Sequence, residues 1–504
     1  MEGKDRLLGM YVHMHWGYNY PYAARTWRIE DWAAYLDGLQ ALGYNLVQIW
    51  PMIDTMPLPL TESDRAHLQK MARAIDLVHE RGMAVYVGAS ANAMGNARAA
   101  DYAFEERPYF TAERLVNPGD TAEVGELMRA RRAFLEPLAE ADGFWIIDSD
   151  PGGYAGSSVA EFVRLLGEHR ALLDDLRPGI QLFYWMWVGW TGVPDLRANV
   201  RERSLQCLRD ALRGMAALNP EPWGLLACSP DHLAVVEELG LTSRALYDPY
   251  GTIEDEPSFP WTHCDPDRIR RAFERVSRDR YPLGAIGNAQ SHCLQLPHIY
   301  FFQRFASEGT AAEVDLRGFG EDLLPGYGDV LAGAWEAMGK QDLAAGDGVH
   351  RLERAGQANA FAALRQIPAG RELVLGRLAG LYFGQADRLL RDLEAQIAVR
   401  IALLKVREQI AVAGRRPAVR AGRGMAQALR NLVPPLQAWA ERHGFVDRYV
   451  GTFKSLLHPL LREAAGHLAR GEQLWRALED FDAGPPHGAF TRLLRTLKQV
   501  VGRE

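Results

Sequence analysis

The sequence predicts an α/β fold, a (β/α)8 TIM barrel followed by an all-α helical C-terminal region. Three observations support this prediction. Apolar runs of strand length alternate with amphipathic helical segments from the N-terminus to about residue 310, eight such pairs can be counted, and polar side chains gather where the strands end. An alternation this regular is typical of a barrel built from parallel strands.

The eight predicted strands are short apolar runs at 7–16, 44–51, 83–91, 144–148, 180–188, 223–228, 243–248 and 283–288. An amphipathic segment with helical spacing follows each strand, at 29–42, 64–81, 125–141, 159–176, 200–218, 232–239, 268–278 and 296–307. Gly43 and Gly82 follow the first two helices, because glycine readily adopts the left-handed conformation in which helices often end. This order of elements is that of a (β/α)8 barrel.

After Gly309 the alternation stops, and patterns rich in Leu, Ala, Arg and Glu run almost to the C-terminus. Helices are predicted there at 329–341, 352–365, 370–412, 422–443, 445–471 and 488–501. We therefore predict two domains, a catalytic barrel at 1–310 and a helical domain at 311–504. The sequence leaves open whether the helical domain lends a residue to the site or forms a homodimer contact.

Composition narrows the class of protein. A formal net charge of -7 gives no electrostatic reason to bind nucleic acid or an anionic membrane, so neither is expected as a partner. No apolar run reaches the length of a membrane span and no leader is visible, which predicts a cytoplasmic protein unless a signal peptide has been removed. The four cysteines lack metal-type spacing and are interpreted as reduced. No cofactor is expected.

The site of a (β/α)8 barrel lies where its strands end, so the strand-end residues are the candidates. Aromatic rings suited to stacking on a sugar and polar groups suited to its hydroxyls are concentrated at these positions. The predicted carbohydrate-binding residues are His13, His15, Trp16, Tyr18, Trp50, Asn92, Trp185, Trp187, Asn288, Gln290 and His292. On the fifth strand Trp185 and Trp187 share one face and Tyr184 lies on the other, so one of these sets must pack under the helices.

The fourth strand leads into Asp148 and Asp150, and a Pro-Gly-Gly loop follows them. If the strand extends that far, both carboxylates project to the same side, because side chains alternate with a period of two. Two neighbouring acids raise the pKa of one of them, and such a pair is what cleavage of a glycosidic bond requires. The structural alternative is that Asp150 caps a helix or turns the chain while Asp148 anchors the barrel rim.

Two stretches resemble barrel glycoside hydrolases, the group that includes β-N-acetylhexosaminidases, O-GlcNAc hydrolases and α-glucuronidases. They are RIEDWAAYLDGLQALGYNLVQIW at 28–50 and NPGDTAEVGELMRARRAFLEPLAEADGFWIIDSDPGG at 117–153. The resemblance implies hydrolysis of a carbohydrate substrate in which Asp148 polarises the substrate's own acetamido group and Asp150 protonates the leaving oxygen. In that group the two acids are adjacent, whereas Ser149 separates them here.

Other interpretations stay open. A conventional pair would use Asp148 or Asp150 as acid and Asp248, at the end of the seventh strand, as nucleophile or base; about 5 Å between the carboxyls would imply retention and about 6.5–9.5 Å inversion. His13 and His15 form a His-x-His pair like that of metal-dependent amidohydrolase-like barrels, although the remaining ligands of that signature are missing. A non-catalytic carbohydrate-binding barrel would need the same tryptophans without the acids.

The eighth strand is predicted to form the floor of the same pocket. Asn288, Gln290 and His292 alternate along an extended segment, so they are expected to share the side that faces the barrel axis. Buried amides cost free energy unless they are paired, and a hydroxyl-rich ligand would pair them.

Overall fold

The structure is a computed structural model that describes residues 6–108, 112–150, 152–190, 201–253, 264–339, 354–367, 373–413, 418–444, 457–483 and 488–502. Its strands within these ranges are β1 (Leu7–Val12), β2 (Leu46–Ile49), β3 (Ala84–Ser90), β4 (Ala93–Gly95), β5 (Glu113–Leu115), β6 (Gly143–Ile147), β7 (Gln181–Met186), β8 (Trp223–Ala227), β9 (Ala245–Tyr247) and β10 (Gly284–Ala289).

Eight of these strands close into a barrel in the order β1-β10-β9-β8-β7-β6-β3-β2. Every neighbouring pair in the barrel is parallel. β4 and β5 form a separate antiparallel pair between the third and fourth barrel strands. The predicted fold class is confirmed, because all eight apolar runs become barrel strands.

The barrel helices alternate with the strands along the chain: α1 (Ile29–Ala41), α2 (Glu62–Glu80), α3 (Thr121–Leu135), α4 (Val159–Leu176), α5 (Arg201–Leu218), α6 (Pro230–Glu238), α7 (Pro266–Glu274) and α8 (Leu296–Glu308). Capping boxes begin two of them, Thr61 with Asp64 at α2 and Ser158 with Glu161 at α4. In each box a side chain accepts a hydrogen bond from an N–H group that has no partner within the helix.

Ring contacts identify the interior face of the barrel. Tyr11 on β1 and Trp185 on β7 belong to strands on opposite sides of the barrel, yet their ring centroids are 5.5 Å apart. Both side chains therefore point inward. Tyr184, the preceding residue on β7, packs against Phe162 of α4 with centroids 5.3 Å apart, so it points outward under the helices.

The region beyond α8 contains helices and no strand in its described ranges: α9 (Leu316–Leu323), α10 (Gly328–Met338), α11 (Arg354–Gln366), α12 (Ala386–Ala413), α13 (Ala418–His443), α14 (His458–Ala465), α15 (Gly471–Ala483) and α16 (Ala489–Gly502). The sequence patterns do not predict α9 or α15. A Cβ on Gly320 would come 2.9 Å from Gly328, so α9 and α10 touch through glycines that lower helix propensity. The predicted helix at 445–471 is represented by α14, and 445–456 lie outside the described residues.

The helical region packs directly on α1 of the barrel. A Cβ on Gly380 would lie 2.0 Å from the carbonyl oxygen of Ala34, and one on Gly38 would lie 2.7 Å from the main-chain nitrogen of Leu381. Glycine at both positions lets the two main chains touch. The division into domains at residue 310 stays a prediction. Within the described part of the chain, no helix is both long and apolar enough to cross a bilayer.

Candidate active site

Aromatic and imidazole rings cluster at the barrel end where β1, β2 and β7 lead into their loops. His13 stacks on Trp16, with centroids 5.4 Å apart and an interplanar angle of 11°. His15 meets Trp50 edge-on at 4.4 Å, and Trp50 contacts Trp185 at 5.5 Å. The structure thus brings together five of the predicted sugar-binding residues, which we call the rim cluster.

The two imidazoles of the rim cluster are neutral. His15 Nδ1 lies 3.1 Å from His13 Nε2 and 3.4 Å from the Tyr11 hydroxyl. Burial lowers the pKa of His13 to about 3 and lowers that of His15 as well. The charge of Arg25, a guanidinium only 3% exposed, acts in the same direction. Neutral imidazoles both donate and accept hydrogen bonds, which suits them to sugar hydroxyls.

Asp148 is buried and surrounded by donors. Its carboxylate accepts five hydrogen bonds of 2.7–3.3 Å, from the hydroxyls of Ser149 and Tyr184 and the main-chain N–H groups of Trp187, Val188 and Gly189. Burial raises the pKa of Asp148, and these hydrogen bonds act against that rise. Because Tyr184 points outward from β7, the Asp148 carboxylate lies on the helix side of the barrel wall and holds the loop after β7.

Asp150 does not continue the alternation of the fourth barrel strand. That strand ends at Ile147, and Asp150 has a φ of 80°, in the left-handed region that non-glycine residues rarely adopt. The expectation that Asp148 and Asp150 project side by side from one strand is therefore wrong. Asp150 is partly exposed in the loop at the barrel mouth, and left-handed residues of this kind are often found at functional sites.

Asp248 follows β9 and is 1% exposed. Its Oδ2 lies 3.8 Å from the Sγ of Cys228, while Oδ1 has no hydrogen-bond partner in the described ranges. Burial raises the pKa of Asp248 to about 8, and the Cys228 thiol lowers it only in part. Cys228 also accepts a hydrogen bond of 2.9 Å from Trp185 Nε1, which links this acid to the rim cluster.

A buried ion pair supports the rim cluster from below. Asp54 and Arg131 are both fully buried and 2.6 Å apart. Asp54 also accepts hydrogen bonds from Trp50 Nε1 at 2.6 Å and from the main-chain N–H of Ser90 at 3.1 Å. Arg131 in turn donates to the carbonyl oxygens of Ser90 and Ala93. The pair therefore fixes the indole of Trp50 and the end of β3.

Asn92 holds main-chain groups together, and Tyr18 contacts the helical region. The Asn92 amide donates to the carbonyl oxygens of Val116 and Gly153, at 2.8 and 2.9 Å, so both of its N–H groups hold loops together. Tyr18 lies 4.3 Å from the ring of His443 in the helical region. Neither contact resembles the hydroxyl-binding role that the sequence predicts for these two residues.

Trp187 lies just after β7, next to the loop that follows Asp248. Its ring meets Tyr250 edge-on at 4.3 Å, and its main-chain N–H is one of the five donors to Asp148. The indole Nε1 has no hydrogen-bond partner in the part of the chain that the structure describes. A partly buried indole with a free donor is suited to contact a polar ligand.

The three residues predicted to form the pocket floor do not all lie on one face. Asn288 is paired with Tyr11 in the β1–β10 register, so it faces the barrel axis. Gln290 lies just beyond the end of β10 and is buried. His292 lies 2.7 Å from the Tyr35 hydroxyl on α1 and 5.5 Å from the ring of Trp27. His292 Nε2 also accepts a hydrogen bond of 3.3 Å from the His13 main-chain N–H, so His292 lies between α1 and the rim cluster. The prediction that all three share one face is wrong, because the chain turns after β10.

His292→Ala is expected to lower the free energy of unfolding by about 2 kcal/mol, because it leaves the buried Tyr35 hydroxyl without its partner. Asn288→Ala, at the barrel axis, should change stability less and substrate binding more. Urea unfolding of both variants, with KM measured alongside, checks the contrast. A His292→Ala protein of wild-type stability and raised KM would indicate instead that His292 contacts the substrate.

The sequence analysis assigns no role to three residues that the structure places at the site: Tyr11, Arg25 and Cys228. Cys228 directly follows β8, the sixth barrel strand, and that position is itself a signal for a site residue. Tyr11 lies within β1, and the alternation along that strand places it on one face together with His13. Arg25 belongs to a loop without periodicity, and only its burial reveals it.

Several solved structures are similar to this chain. A "GH138 enzyme targeting pectin rhamnogalacturonan II" matches over 95% of this chain and 69% of its own, with a TM-score of 0.51 and 10% identity. The Thermobaculum terrenum O-GlcNAc hydrolase matches over 99% and 96%, with a TM-score of 0.45 and 11% identity. No protein-family model and no curated protein sequence matches the chain. The likeness to the first of these shows a shared fold, as the sequence resemblance implies.

Proposed function

We propose that this protein is a glycoside hydrolase in which Asp248 donates the proton and Asp150 is the second carboxylate. The observation that supports this most directly is the Asp248 carboxyl, buried at the barrel mouth with Oδ1 unpartnered among the described residues. Burial raises its pKa to about 8, so it is protonated at neutral pH. A carboxylic acid in this state can protonate the leaving oxygen of a glycoside.

The reaction would proceed by proton transfer coupled to bond cleavage. As the bond between the anomeric carbon and the glycosidic oxygen breaks, its electron pair passes to that oxygen, which takes the proton of Asp248. The electron pair of the O–H bond stays on Asp248 as carboxylate charge. Water finally adds its hydroxyl to the anomeric carbon and returns a proton to the enzyme, so that one glycoside and one water give two hydroxyl compounds.

The rim cluster supports a carbohydrate as the substrate. Trp16, Trp50 and Trp185 place aromatic rings next to two neutral imidazoles, and sugars combine apolar ring faces with hydroxyl groups. Trp185 also reaches Cys228 beside Asp248, so a sugar over the cluster would lie near the proton donor. By analogy, the barrels of similar fold include enzymes that act on carbohydrates.

Asp148 is proposed as a positioning residue and not as the partner acid. All of its hydrogen-bonding capacity is directed to donors of this chain, which leaves no oxygen to orient a substrate acetamido group. Asp150, partly exposed in the following loop, is the remaining strand-four carboxylate. We therefore favour a two-carboxylate mechanism over one that depends on an N-acetyl substituent.

A panel of aryl glycosides tests the proposal. Matched 4-methylumbelliferyl substrates with neutral, N-acetylated and uronic acid sugars should include at least one that the wild-type protein hydrolyses. Activity on a sugar without an N-acetyl group supports two carboxylates, whereas strict dependence on N-acetyl favours substrate assistance. Sugar binding without turnover of any member would indicate a non-catalytic carbohydrate-binding barrel. NMR of the first anomer released gives the stereochemistry.

Chelation is expected to leave this activity unchanged. In the described ranges no three His, Cys, Asp or Glu side chains converge as a metal-ligand set, and His13 and His15 hydrogen-bond to each other. Turnover before and after dialysis against EDTA, with Zn²⁺ restored to one sample, is the measurement. Loss of activity that zinc restores, with zinc bound stoichiometrically at the two histidines, would favour the metal-dependent hydrolase.

A further inference from the structure

Three side chains from adjacent barrel strands form a hydrogen-bonded line that ends at Asp248. Trp185 Nε1 on β7 lies 2.9 Å from the Sγ of Cys228 after β8, and that sulfur lies 3.8 Å from Asp248 Oδ2 after β9. All three side chains are buried. Beyond Oδ2 the line stops, because Oδ1 of Asp248 has no partner among the residues that the structure describes.

The direction of this line follows from the chemistry of its members. An indole N–H can only donate, so Trp185 occupies the acceptor side of the sulfur. Burial raises the pKa of the Cys228 thiol, which therefore keeps its proton. With its acceptor side occupied, the thiol is oriented to donate its S–H to Asp248 Oδ2. Asp248 then receives a hydrogen bond on one oxygen only.

We propose that Cys228 is a positioning residue that fixes which oxygen of Asp248 carries the proton. This inference rests on the proposed role of Asp248 as proton donor. An S–H bond to Oδ2 disfavours a proton on that oxygen, so the carboxyl proton lies on Oδ1, the oxygen that has no hydrogen-bond partner among the described residues. When the proton leaves, the same S–H bond stabilises the carboxylate that remains.

Few other titratable groups face this pair. From β9 itself Tyr247 points outward, its hydroxyl bonded to the Ala272 carbonyl, and the Asp148 carboxylate on the helix side also raises the pKa of the thiol. From α6, His232 Nδ1 lies 3.3 Å from the Cys228 main-chain nitrogen, and burial lowers its pKa to about 4, so it is neutral. Within the described residues, the Cys228 thiol is thus the titratable side chain that contacts the Asp248 carboxyl.

Two variants of Cys228 test the inference. Cys228→Ala removes the donor, so the pKa of Asp248 should rise and the alkaline limb of kcat should move to higher pH, with kcat lowered about tenfold. Cys228→Ser supplies a stronger O–H donor, so the limb should move to lower pH while activity is retained. Each shift should be roughly half a pH unit or more. Packing changes alone would not move the limb in opposite directions.

A second readout keeps the inference independent of turnover. The infrared carboxyl band that Asp248→Asn removes reports the protonation of Asp248 directly, and its titration should follow the same two shifts. The control is Cys293, a buried cysteine whose thiol is influenced by Asp392 of the helical region, and its Ala and Ser variants should leave both titrations at the wild-type pH.

The outcomes separate the two claims. Opposite infrared shifts without turnover of any glycoside would support the role of Cys228 and overturn the proposed function. Turnover with both Cys228 variants titrating as wild type, or shifting in the same direction, would overturn the role of Cys228 and leave the proposed function standing.

Discussion

Asp248→Asn is expected to lower kcat by roughly 10²–10⁴-fold, the usual contribution of a positioned general acid. The amide fills the same space and accepts the Cys228 hydrogen bond, but it has no proton to give to a leaving oxygen. Aryl glycosides with good leaving groups need less protonation, so the loss should be smallest for nitrophenyl substrates. Steady-state kinetics on a pair of substrates that differ only in the leaving group measure both effects.

The pH dependence provides the first control on this prediction. Wild-type activity should fall as pH rises through about 8, the pH at which the Asp248 carboxyl loses its proton. A wild-type rate that stays constant well above pH 8 would contradict the assignment of Asp248 as the acid.

Stability provides the second control, because the same pKa shift acts on folding. From the ordinary pKa of 3.8 up to about 8, the unfolded chain has released this proton while the folded protein keeps it. Wild-type stability should therefore fall as pH rises through this window and level off above it. Asp248→Asn lacks this loss and should be the more stable protein at pH 8. Asp175→Asn, at an exposed carboxylate, is the matched control. It should change neither the pH dependence of activity nor the pH dependence of stability.

Asp148→Asn is expected to lower the free energy of unfolding by about 3 kcal/mol or more. Oδ1 accepts from Ser149 and Val188, and Oδ2 accepts from Tyr184, Trp187 and Gly189. Whichever way the asparagine amide is turned, its NH2 group faces at least two donors, one of them a main-chain N–H. Buried donors that lose their acceptor each cost about 1–3 kcal/mol. Urea unfolding, monitored by tryptophan fluorescence, gives the change.

The variant Tyr184→Phe makes a smaller change to the same hydrogen-bond network and so provides a graded comparison. It removes one donor and leaves the carboxylate its other four, so it should cost only about 1 kcal/mol. Activity of Asp148→Asn should fall together with stability, since the loop after β7 carries Trp187. An Asp148→Asn protein with wild-type stability and no activity would restore Asp148 to the catalytic pair predicted from the sequence.

The barrel itself was predictable because its signals are local. Strand and helix periodicity, glycine stops and the excess of aromatic residues at strand ends are all present within short windows of sequence, and the eight predicted strands and eight helices appear in the structure. α9 is the counterexample, since its glycines contradict helix propensity and a close contact between two helices compensates.

The site was predictable as a set of positions, and less so as a set of roles. His13, His15, Trp16, Trp50 and Trp185 meet because strand ends in a closed barrel converge. The alternation of side chains along a strand also places Trp185 and Tyr184 on opposite faces, but it does not say which face is inside the barrel. Only the contact between Tyr11 and Trp185 across the barrel decides that.

The roles of the carboxylates depend on tertiary structure. Asp148 and Asp150 look like a pair because they are two residues apart, yet the strand ends at Ile147 and the left-handed turn at Asp150 breaks the alternation. In the sequence Asp248 is a strand-end candidate for nucleophile or base, and nothing there marks it as the acid that holds a proton. Its pKa of about 8 arises from burial between strands that are distant along the chain. The sequence by itself therefore determined the barrel and the end at which its polar residues gather, because those follow from local periodicity. Which acid holds a proton was decided by the folded structure, because burial and hydrogen-bond partners come from residues far apart in sequence.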